Sequence, residues 1–274
     1  MERTPQLAHR IPEWPAAGLA LLAMMLCVGC SAVVRQSIRI ELGDGSELRI
    51  EGVDDCDDFA NPAVTLDATK PLVMLVHGCK ASSGRFRHLA EIFEAHGQPT
   101  LCFNYSYPSR IGTGAEGLAS SIGVLAKRLQ QPEVRLIGHS QGGLVARRAV
   151  VERHGKEGEK LDRLKLRLVT VSSPFNGIES SSHCGITAFH VLSLGLTTAI
   201  CQGIAGSIWP EIHPRSDFVT EPGRLLDIVP NHLMVVTDER GSCRQRSADG
   251  SCLADDFVFS VDEQRNERLT RDPR

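Results

Sequence analysis

The residues whose types and spacing could best support catalysis lie in the segment Gly138-His139-Ser140-Gln141-Gly142-Gly143. An apolar run, Val134 to Ile137, precedes the segment and predicts a strand, and residues 141–154 predict a helix. Glycines two positions either side of a serine allow a strand-to-helix turn too tight for side chains. The pattern predicts that Ser140 is a nucleophile raised on this turn, with Gly138 and Gly142 removing the clashes.

The elements that must position Ser140 are predicted from apolar patterns. Leu72 to Val76 is an uninterrupted apolar run, typical of a strand buried on both faces of a parallel sheet. After it, predicted helices and strands alternate; they are residues 83–96, 99–105, 114–130, 134–138, 141–154 and 164–171, with a further strand at 233–237. This order predicts an α/β fold with a doubly wound, mostly parallel sheet.

Two stretches stand outside this alternation. Residues 38–42 and 47–51 alternate apolar and polar residues around a Gly-Asp-Gly turn and predict an antiparallel hairpin. Residues 176–225 are rich in Gly, Ser, Ile and Leu and contain Trp209. We predict that this second stretch is an insertion, a lid over one end of the sheet.

Four motifs in order resemble the lipase and esterase branch of the α/β-hydrolase superfamily. They are Val76-His77-Gly78, Asn104-Tyr105-Ser106-Tyr107-Pro108-Ser109, the segment around Ser140, and Val169-Thr170-Val171-Ser172-Ser173-Pro174-Phe175-Asn176-Gly177. The resemblance implies an α/β-hydrolase fold and hydrolysis of an ester. It also implies that the backbone N–H groups of Cys79 and Gln141 form the oxyanion hole.

The resemblance further implies an acid that follows the serine in the chain. Asp255-Asp256-Phe257-Val258-Phe259 resembles the acid loop of the family, and we favour Asp256 over Asp255. Asp238, at the end of the predicted strand 233–237, is a rival.

The base is the missing member of the predicted triad, because no histidine follows Asp256. The last histidine, His232, is predicted at the N-terminal edge of the sheet, whereas chemistry in open α/β sheets sits at the C-terminal edge. His183, His190 and His213 lie in the predicted lid, and none carries a motif of the family. The family continues with one more strand and a histidine loop, so the chain is predicted to be C-terminally short.

The N-terminus resembles a bacterial lipoprotein leader. Arg3 and Arg10 precede the apolar segment 16–29, which is too short to span a membrane and ends at Cys30. We expect a signal peptide over residues 1–29, lipidation of Cys30 and a hydrolase domain over 30–274. This predicts a lipid-anchored protein of the cell envelope, on the periplasmic side of a bacterial outer membrane.

The composition of the chain limits the classes of ligand and partner that we expect. The net charge of −3 comes without basic runs, so no nucleic acid is expected. No cysteine or histidine spacing is typical of a zinc site, and neither metal nor cofactor is predicted. Export permits disulfides, of which Cys243–Cys252 is the first choice and Cys184–Cys201 the second.

The predicted function is hydrolysis of an acyl or lipid ester through an acyl-enzyme on Ser140. A non-catalytic lipoprotein that keeps the pocket for binding is the alternative, favoured by the absent histidine. A serine peptidase or a thioesterase on the same fold is a third possibility.

Overall fold

The computed structural model describes residues 37–58, 63–79, 81–106, 110–152, 163–179, 209–247, 249–255 and 260–270. The predicted leader, Cys30, Asp256 and the part of the predicted lid from 180 to 208 lie outside the described residues, as do His183, His190 and the Cys184–Cys201 pair. In the described ranges, no helix has the length and apolar character needed to cross a membrane.

The described residues form eleven strands. In chain order they are β1 (Arg39–Leu42), β2 (Glu47–Arg49), β3 (Val53–Asp54), β4 (Ala63–Leu66), β5 (Leu72–Val76), β6 (Thr100–Phe103), β7 (Glu133–His139), β8 (Lys165–Val171), β9 (Asn231–Val235), β10 (Cys243–Arg246) and β11 (Cys252–Asp255). The helices are α1 (Arg87–Ala95), α2 (Ile111–Ala126), α3 (Gln141–Ala149), α4 (Trp209–Ile212), α5 (Asp217–Thr220), α6 (Val261–Gln264) and α7 (Glu267–Thr270), and a 3₁₀ turn spans Ser83–Phe86.

The main sheet has six strands in the order β3-β6-β5-β7-β8-β9. All neighbours are parallel except β3, which runs antiparallel to β6 at one edge. A second sheet joins β4 and β2 to either side of β1, and β10 pairs with β11 as a separate hairpin. The doubly wound α/β arrangement is the one predicted for an α/β-hydrolase.

The core explains why the apolar runs became central strands. All five residues of β5 are buried, because helices pack on both faces of the sheet. One face packs against α2, α3 and the second sheet, whereas α1 covers the other face beside Val73, Leu75 and Cys102.

Several predicted boundaries shift in the structure. The predicted hairpin of β1 and β2 is confirmed. Between this hairpin and β5, the structure adds two short strands that the sequence did not predict, β3 and β4. Helix α2 begins at Ile111, three residues before the predicted start. Strand β9 begins at Asn231 rather than Leu233, because parallel pairing with β8 extends back to Arg167.

Candidate active site

Ser140 is the single residue between β7 and α3, and its backbone is strained. Its φ is 54° and its ψ is −126°, a combination that L-residues rarely adopt. The N–H of Ser140 donates to the carbonyl oxygen of Val171 at 2.8 Å, which ties the turn to the end of β8. The predicted strand–turn–helix context of Ser140 is therefore present.

The glycines beside Ser140 leave room for this turn. A Cβ atom at Gly138 would lie 2.5 Å from the carbonyl oxygen of Gly142 and 2.6 Å from the Cα of Gly143. A Cβ atom at Gly142 would overlap the carbonyl oxygens of Val76 and His77. Backbone atoms cannot move aside as a flexible side chain can, so both positions require glycine.

The loop that follows β5 passes directly beside Ser140. A Cβ atom at Gly78 would lie 3.1 Å from the Cβ of Ser140 and 3.3 Å from the carbonyl oxygen of His139. Cys79, the next residue, is exposed. The structure thus brings this loop to the side of Ser140 at Gly78, one residue before Cys79.

Gln141 is the first residue of the nine-residue helix α3. The first backbone N–H groups of a helix have no carbonyl partner within that helix, and they carry its positive dipole end. The side-chain amide of Gln141 is buried and makes no hydrogen bond in the described part of the chain. The Gln141 N–H therefore lies at the N-terminal end of α3, directly after Ser140.

His77 is a packing residue. Its ring stacks on the Tyr105 ring with centroids 4.5 Å apart, and its Nδ1 lies 2.9 Å from the carbonyl oxygen of Gly78. The Tyr105 hydroxyl donates to the carbonyl oxygen of His77 at 2.9 Å. Burial lowers the pKa of His77 and raises the pKa of Tyr105, so both rings are neutral at pH 7.

The acid candidates have different surroundings. Asp238 follows β9 at the carboxyl edge of the sheet, and both its oxygens accept from the Arg240 guanidinium, at 2.8 and 2.6 Å. These hydrogen bonds lower the pKa of Asp238 to about 2. Asp255 is the last residue of β11, and Asp256 lies outside the described residues. The Asp238 carboxylate is thus engaged by an arginine.

Over the described ranges, no histidine is hydrogen-bonded to the Ser140 hydroxyl. His232 lies in β9 opposite Leu168, where its Nε2 is 2.9 Å from Thr170 Oγ1. The Nδ1 of His213 accepts from the N–H of Arg215 at 3.2 Å. Both rings are therefore held by contacts away from the serine.

The segment 260–266 packs at the carboxyl ends of β8 and β9. The buried Gln264 side chain accepts from the N–H of Thr237 at 3.0 Å and donates to its carbonyl oxygen at 2.7 Å. The Asn266 amide donates to the carbonyl oxygens of Phe175 and Val219, at 2.9 and 3.0 Å. These contacts fix the chain just after the predicted acid loop at the edge of the sheet that carries Ser140.

The cysteine predictions are partly settled. Cys243 and Cys252 form a disulfide, as predicted. A second disulfide joins Cys56 to Cys102, with Cα atoms 4.9 Å apart, and sequence reasoning missed it. In the part of the chain that the structure describes, no group of three His, Cys, Asp or Glu residues is arranged to hold a metal ion.

Comparison with known proteins gives a family. Residues 71–219 match the model of the family described as palmitoyl protein thioesterase. Among solved structures, a mature lipase of Bacillus licheniformis is similar, with 15% identity, a TM-score of 0.45 and coverage of 73% of this chain and 74% of that one. No curated protein sequence matches the chain.

Two further solved structures are similar over shorter stretches. The Paleococcus ferrophilus monoacylglycerol lipase has 25% identity and a TM-score of 0.31, with coverage of 40% of this chain and 42% of that one. Thermogutta terrifontis esterase 2 has 12% identity and a TM-score of 0.35, with coverage of 56% and 60%. Because the family match spans more than half of the 274 residues, this α/β-hydrolase-fold chain belongs to the palmitoyl protein thioesterase family.

Proposed function

We propose that the chain hydrolyses acyl esters or thioesters through a covalent acyl-enzyme on Ser140. The observation that carries the proposal is the strained backbone of Ser140 between β7 and α3. Such strain persists at functional sites because the surrounding structure enforces it. Here two glycines and the bond from Ser140 N–H to Val171 supply that enforcement.

The chemical steps follow from this geometry. The Ser140 oxygen forms a bond to the acyl carbonyl carbon while its proton passes to a base, and the alcohol or thiol then leaves with a proton. Water repeats the attack on the acyl-enzyme and releases the carboxylic acid. In both steps the carbonyl oxygen becomes negative, and the N–H groups of Cys79 and Gln141 stabilise it; losing one such donor typically costs about 10²–10³ in rate.

We propose Asp256 as the acid that orients the base. Asp238 is the weaker choice because Arg240 engages both of its oxygens and holds its pKa at about 2. The contacts of Gln264 and Asn266 support the choice, since they bring the chain that follows Asp256 to the edge of the sheet that carries Ser140.

The substrate proposal extends the family description to this chain. The family carries the description palmitoyl protein thioesterase, so a long acyl chain on sulfur or oxygen is the substrate class we infer. Residues 176–225 would act as the lid. Their Ile and Leu content suits an apolar acyl chain.

A second candidate function is binding of acyl compounds without turnover. The specific observation in its favour is that no described histidine is hydrogen-bonded to Ser140. Loss of the base in a serine triad costs on the order of 10⁶ in kcat, so a chain without one would retain ligand and hydrolyse it slowly.

Labelling with a fluorophosphonate probe separates these two functions. The full-length wild type, Ser140→Ala and the control Ser46→Ala, in the β1–β2 turn, are treated with the probe and digested for mass spectrometry. The catalytic proposal requires labelling at Ser140 in the wild type and in Ser46→Ala. An unlabelled wild type that still binds palmitate in an equilibrium assay supports the binding function instead.

Substrate class is tested with a matched set of compounds. Palmitoyl and acetyl groups, each on an oxygen and on a sulfur leaving group, give four substrates that differ in one feature at a time. We expect the palmitoyl compounds to have the higher kcat/KM. Equal values for palmitoyl and acetyl compounds would remove the argument for an apolar acyl pocket.

We also propose that the protein is a lipid-anchored component of the cell envelope, modified at Cys30. The two disulfides of the described region support export, because such bonds persist in oxidising compartments. Expression of the full chain and of Cys30→Ser in a Gram-negative host, followed by membrane fractionation, tests this. The wild type should be found with the outer membrane, whereas Cys30→Ser should lose acylation by mass spectrometry.

A further inference from the structure

A buried carboxylate lies beside the loop that follows β5 and carries Gly78 and Cys79, which we call the oxyanion loop. The corner of the fold around this carboxylate is formed by Asp54, Cys56, Ser83, Cys102 and Asn104. Asp54 ends β3, where it pairs with Cys102 in β6, and only 7% of its surface is exposed. Its Oδ1 accepts from the N–H of Cys56 at 3.0 Å. Its Oδ2 accepts from the Ser83 hydroxyl at 3.0 Å and from the Asn104 side-chain amide. Three donors thus converge on one carboxylate.

The donors belong to three different segments, which they bind together. Ser83 lies in the 3₁₀ turn after the oxyanion loop, and Asn104 directly follows β6. The Ser83 N–H donates to Asn104 Oδ1 at 3.0 Å, and Asn104 Nδ2 donates to Ser83 Oγ at 2.9 Å. The disulfide between Cys56 and Cys102 closes the same corner. Asp54 is the shared acceptor of this corner.

The corner holds the oxyanion loop at both of its ends. Ser83 lies four residues after Cys79, so its contacts with Asp54 and Asn104 fix where the loop arrives. Tyr105, next to Asn104, stacks on His77 and donates to its carbonyl oxygen, which fixes where the loop departs. Between these points the backbone passes Ser140 at Gly78.

We infer that Asp54 is a positioning residue of the hydrolase: its carboxylate sets the oxyanion loop at the distance from Ser140 at which the Cys79 N–H meets the developing negative charge. This inference rests on the proposed function. Asp54 touches no reacting atom and acts through Ser83 and Asn104. A displacement of about 1 Å at such a donor is sufficient to cost about 10²-fold in rate.

The ionised form of Asp54 is the one that fits the corner. Each of its oxygens accepts from at least one N–H or O–H donor, and hydrogen bonds to an ionised carboxylate are stronger than those to a protonated carboxyl group. Burial raises the pKa of Asp54 to about 6. Activity should therefore fall as the pH drops through about 6. The charged and titratable groups on the surrounding segments are Glu51, Asp55, Asp57, Asp58, His77, Arg85, Arg87, Glu91 and Glu94.

Three full-length variants test the inference. Asp54→Asn keeps the shape and removes the charge, Ser83→Ala removes the tie to the loop, and Asp44→Asn, in the exposed β1–β2 turn, is the matched control. For each protein, kcat and KM for a soluble acyl ester are measured from pH 5 to 8. Hydrogen exchange of peptides covering residues 77–86 is followed in parallel, because it requires no activity.

We expect Asp54→Asn and Ser83→Ala to lose at least tenfold in kcat with less than a threefold change in KM. The wild-type transition near pH 6 should be absent from Asp54→Asn, and exchange over 77–86 should be faster in both variants than in Asp44→Asn. Values of kcat and exchange equal to those of Asp44→Asn overturn the inference. Where Asp54→Asn does not fold, Ser83→Ala decides by the same criteria.

Failure of the proposed function gives a different pattern. A wild type that neither hydrolyses esters nor reacts with fluorophosphonate contradicts the catalytic proposal. In that case the hydrogen-exchange data are the only test of whether Asp54 holds the oxyanion loop in place. Faster exchange over 77–86 in the two variants supports this role, and unchanged exchange overturns it.

Discussion

The strain at Ser140 gives a prediction that requires no substrate. Glycine adopts positive φ without a steric penalty, whereas alanine has the same Cβ as serine. Replacing Ser140 by glycine should therefore relieve the strain imposed by φ 54° and ψ −126°, and replacing it by alanine should not. Both changes remove the same hydroxyl, which makes no hydrogen bond within the described ranges. The difference in stability between the two variants therefore measures the backbone strain at position 140.

The size of this difference follows from two opposing effects. A non-glycine residue in such a conformation costs about 1–3 kcal/mol. The greater freedom of glycine in the unfolded chain offsets about 0.4–1 kcal/mol of the relief. We expect Ser140→Gly to be more stable than Ser140→Ala by roughly 0.5–2 kcal/mol. For a chain of this size that corresponds to a rise in Tm of roughly 1–4 °C.

Thermal and urea unfolding of the two full-length variants, with disulfides intact, measure the difference. Ser82 serves as the control position, because its φ of −126° and ψ of 173° are extended and unstrained. There the glycine variant should be the less stable of the pair. A Ser140→Gly protein no more stable than Ser140→Ala would refute the strained turn, and with it the main support for Ser140 as nucleophile.

Three further predictions concern the same regions. Gly142→Ala places a Cβ against the carbonyl oxygens of Val76 and His77 and should lower the free energy of unfolding by about 3 kcal/mol in urea titrations. Removing the Cys56–Cys102 disulfide, whose sequence separation is 46, should cost about 4 kcal/mol, against about 2.5 kcal/mol for Cys243–Cys252, whose separation is 9. Because burial raises the pKa of Asp54 from 3.8 to about 6, its contribution to stability is fully present below pH 4 and is lost as the pH rises through 6, by up to about 3 kcal/mol.

Each of these has a direct control. Gly112→Ala lies in helix α2 with nothing within 4 Å of the new Cβ, so it should stabilise the protein by about 0.5–1 kcal/mol where Gly142→Ala destabilises it. Serine pairs replace each disulfide in turn, and a larger loss for Cys243–Cys252 would contradict the loop-length argument. For the pH prediction, the free energy of unfolding of the wild type and of Asp54→Asn is measured between pH 4 and 7. If the two proteins show the same pH dependence, a raised pKa of Asp54 is excluded.

The sequence was informative where structure is set by neighbours along the chain. The turn at Ser140 was predictable because Gly138 and Gly142 are within two residues of it and their steric role is local. The run Leu72 to Val76 predicted a central strand because burial on both faces leaves no polar position. The hairpin disulfide Cys243–Cys252 was predictable for the same reason, since its cysteines are only nine positions apart in the chain.

The corner around Asp54 could not be predicted in this way. Asp54, Ser83 and Asn104 are far apart in sequence, and no local pattern around any one of them indicates a buried contact. They meet because β3 returns antiparallel to β6 at the sheet edge, and two residues of pairing leave no apolar pattern to detect. The same contact explains why Cys56 was not assigned to Cys102. Long-range pairing of short strands is the information that a single sequence lacks.

The position of the second disulfide has a physical rationale within this fold. The corner around Asp54 contains a buried carboxylate whose ionisation is opposed by burial. The oxyanion loop next to this corner passes Ser140, whose backbone is strained. Both features destabilise the folded chain and both favour the proposed chemistry. A cross-link between Cys56 and Cys102 offsets this cost by restricting the unfolded state. The disulfide should therefore matter more for the lifetime of the active conformation than for the rate of the chemical step.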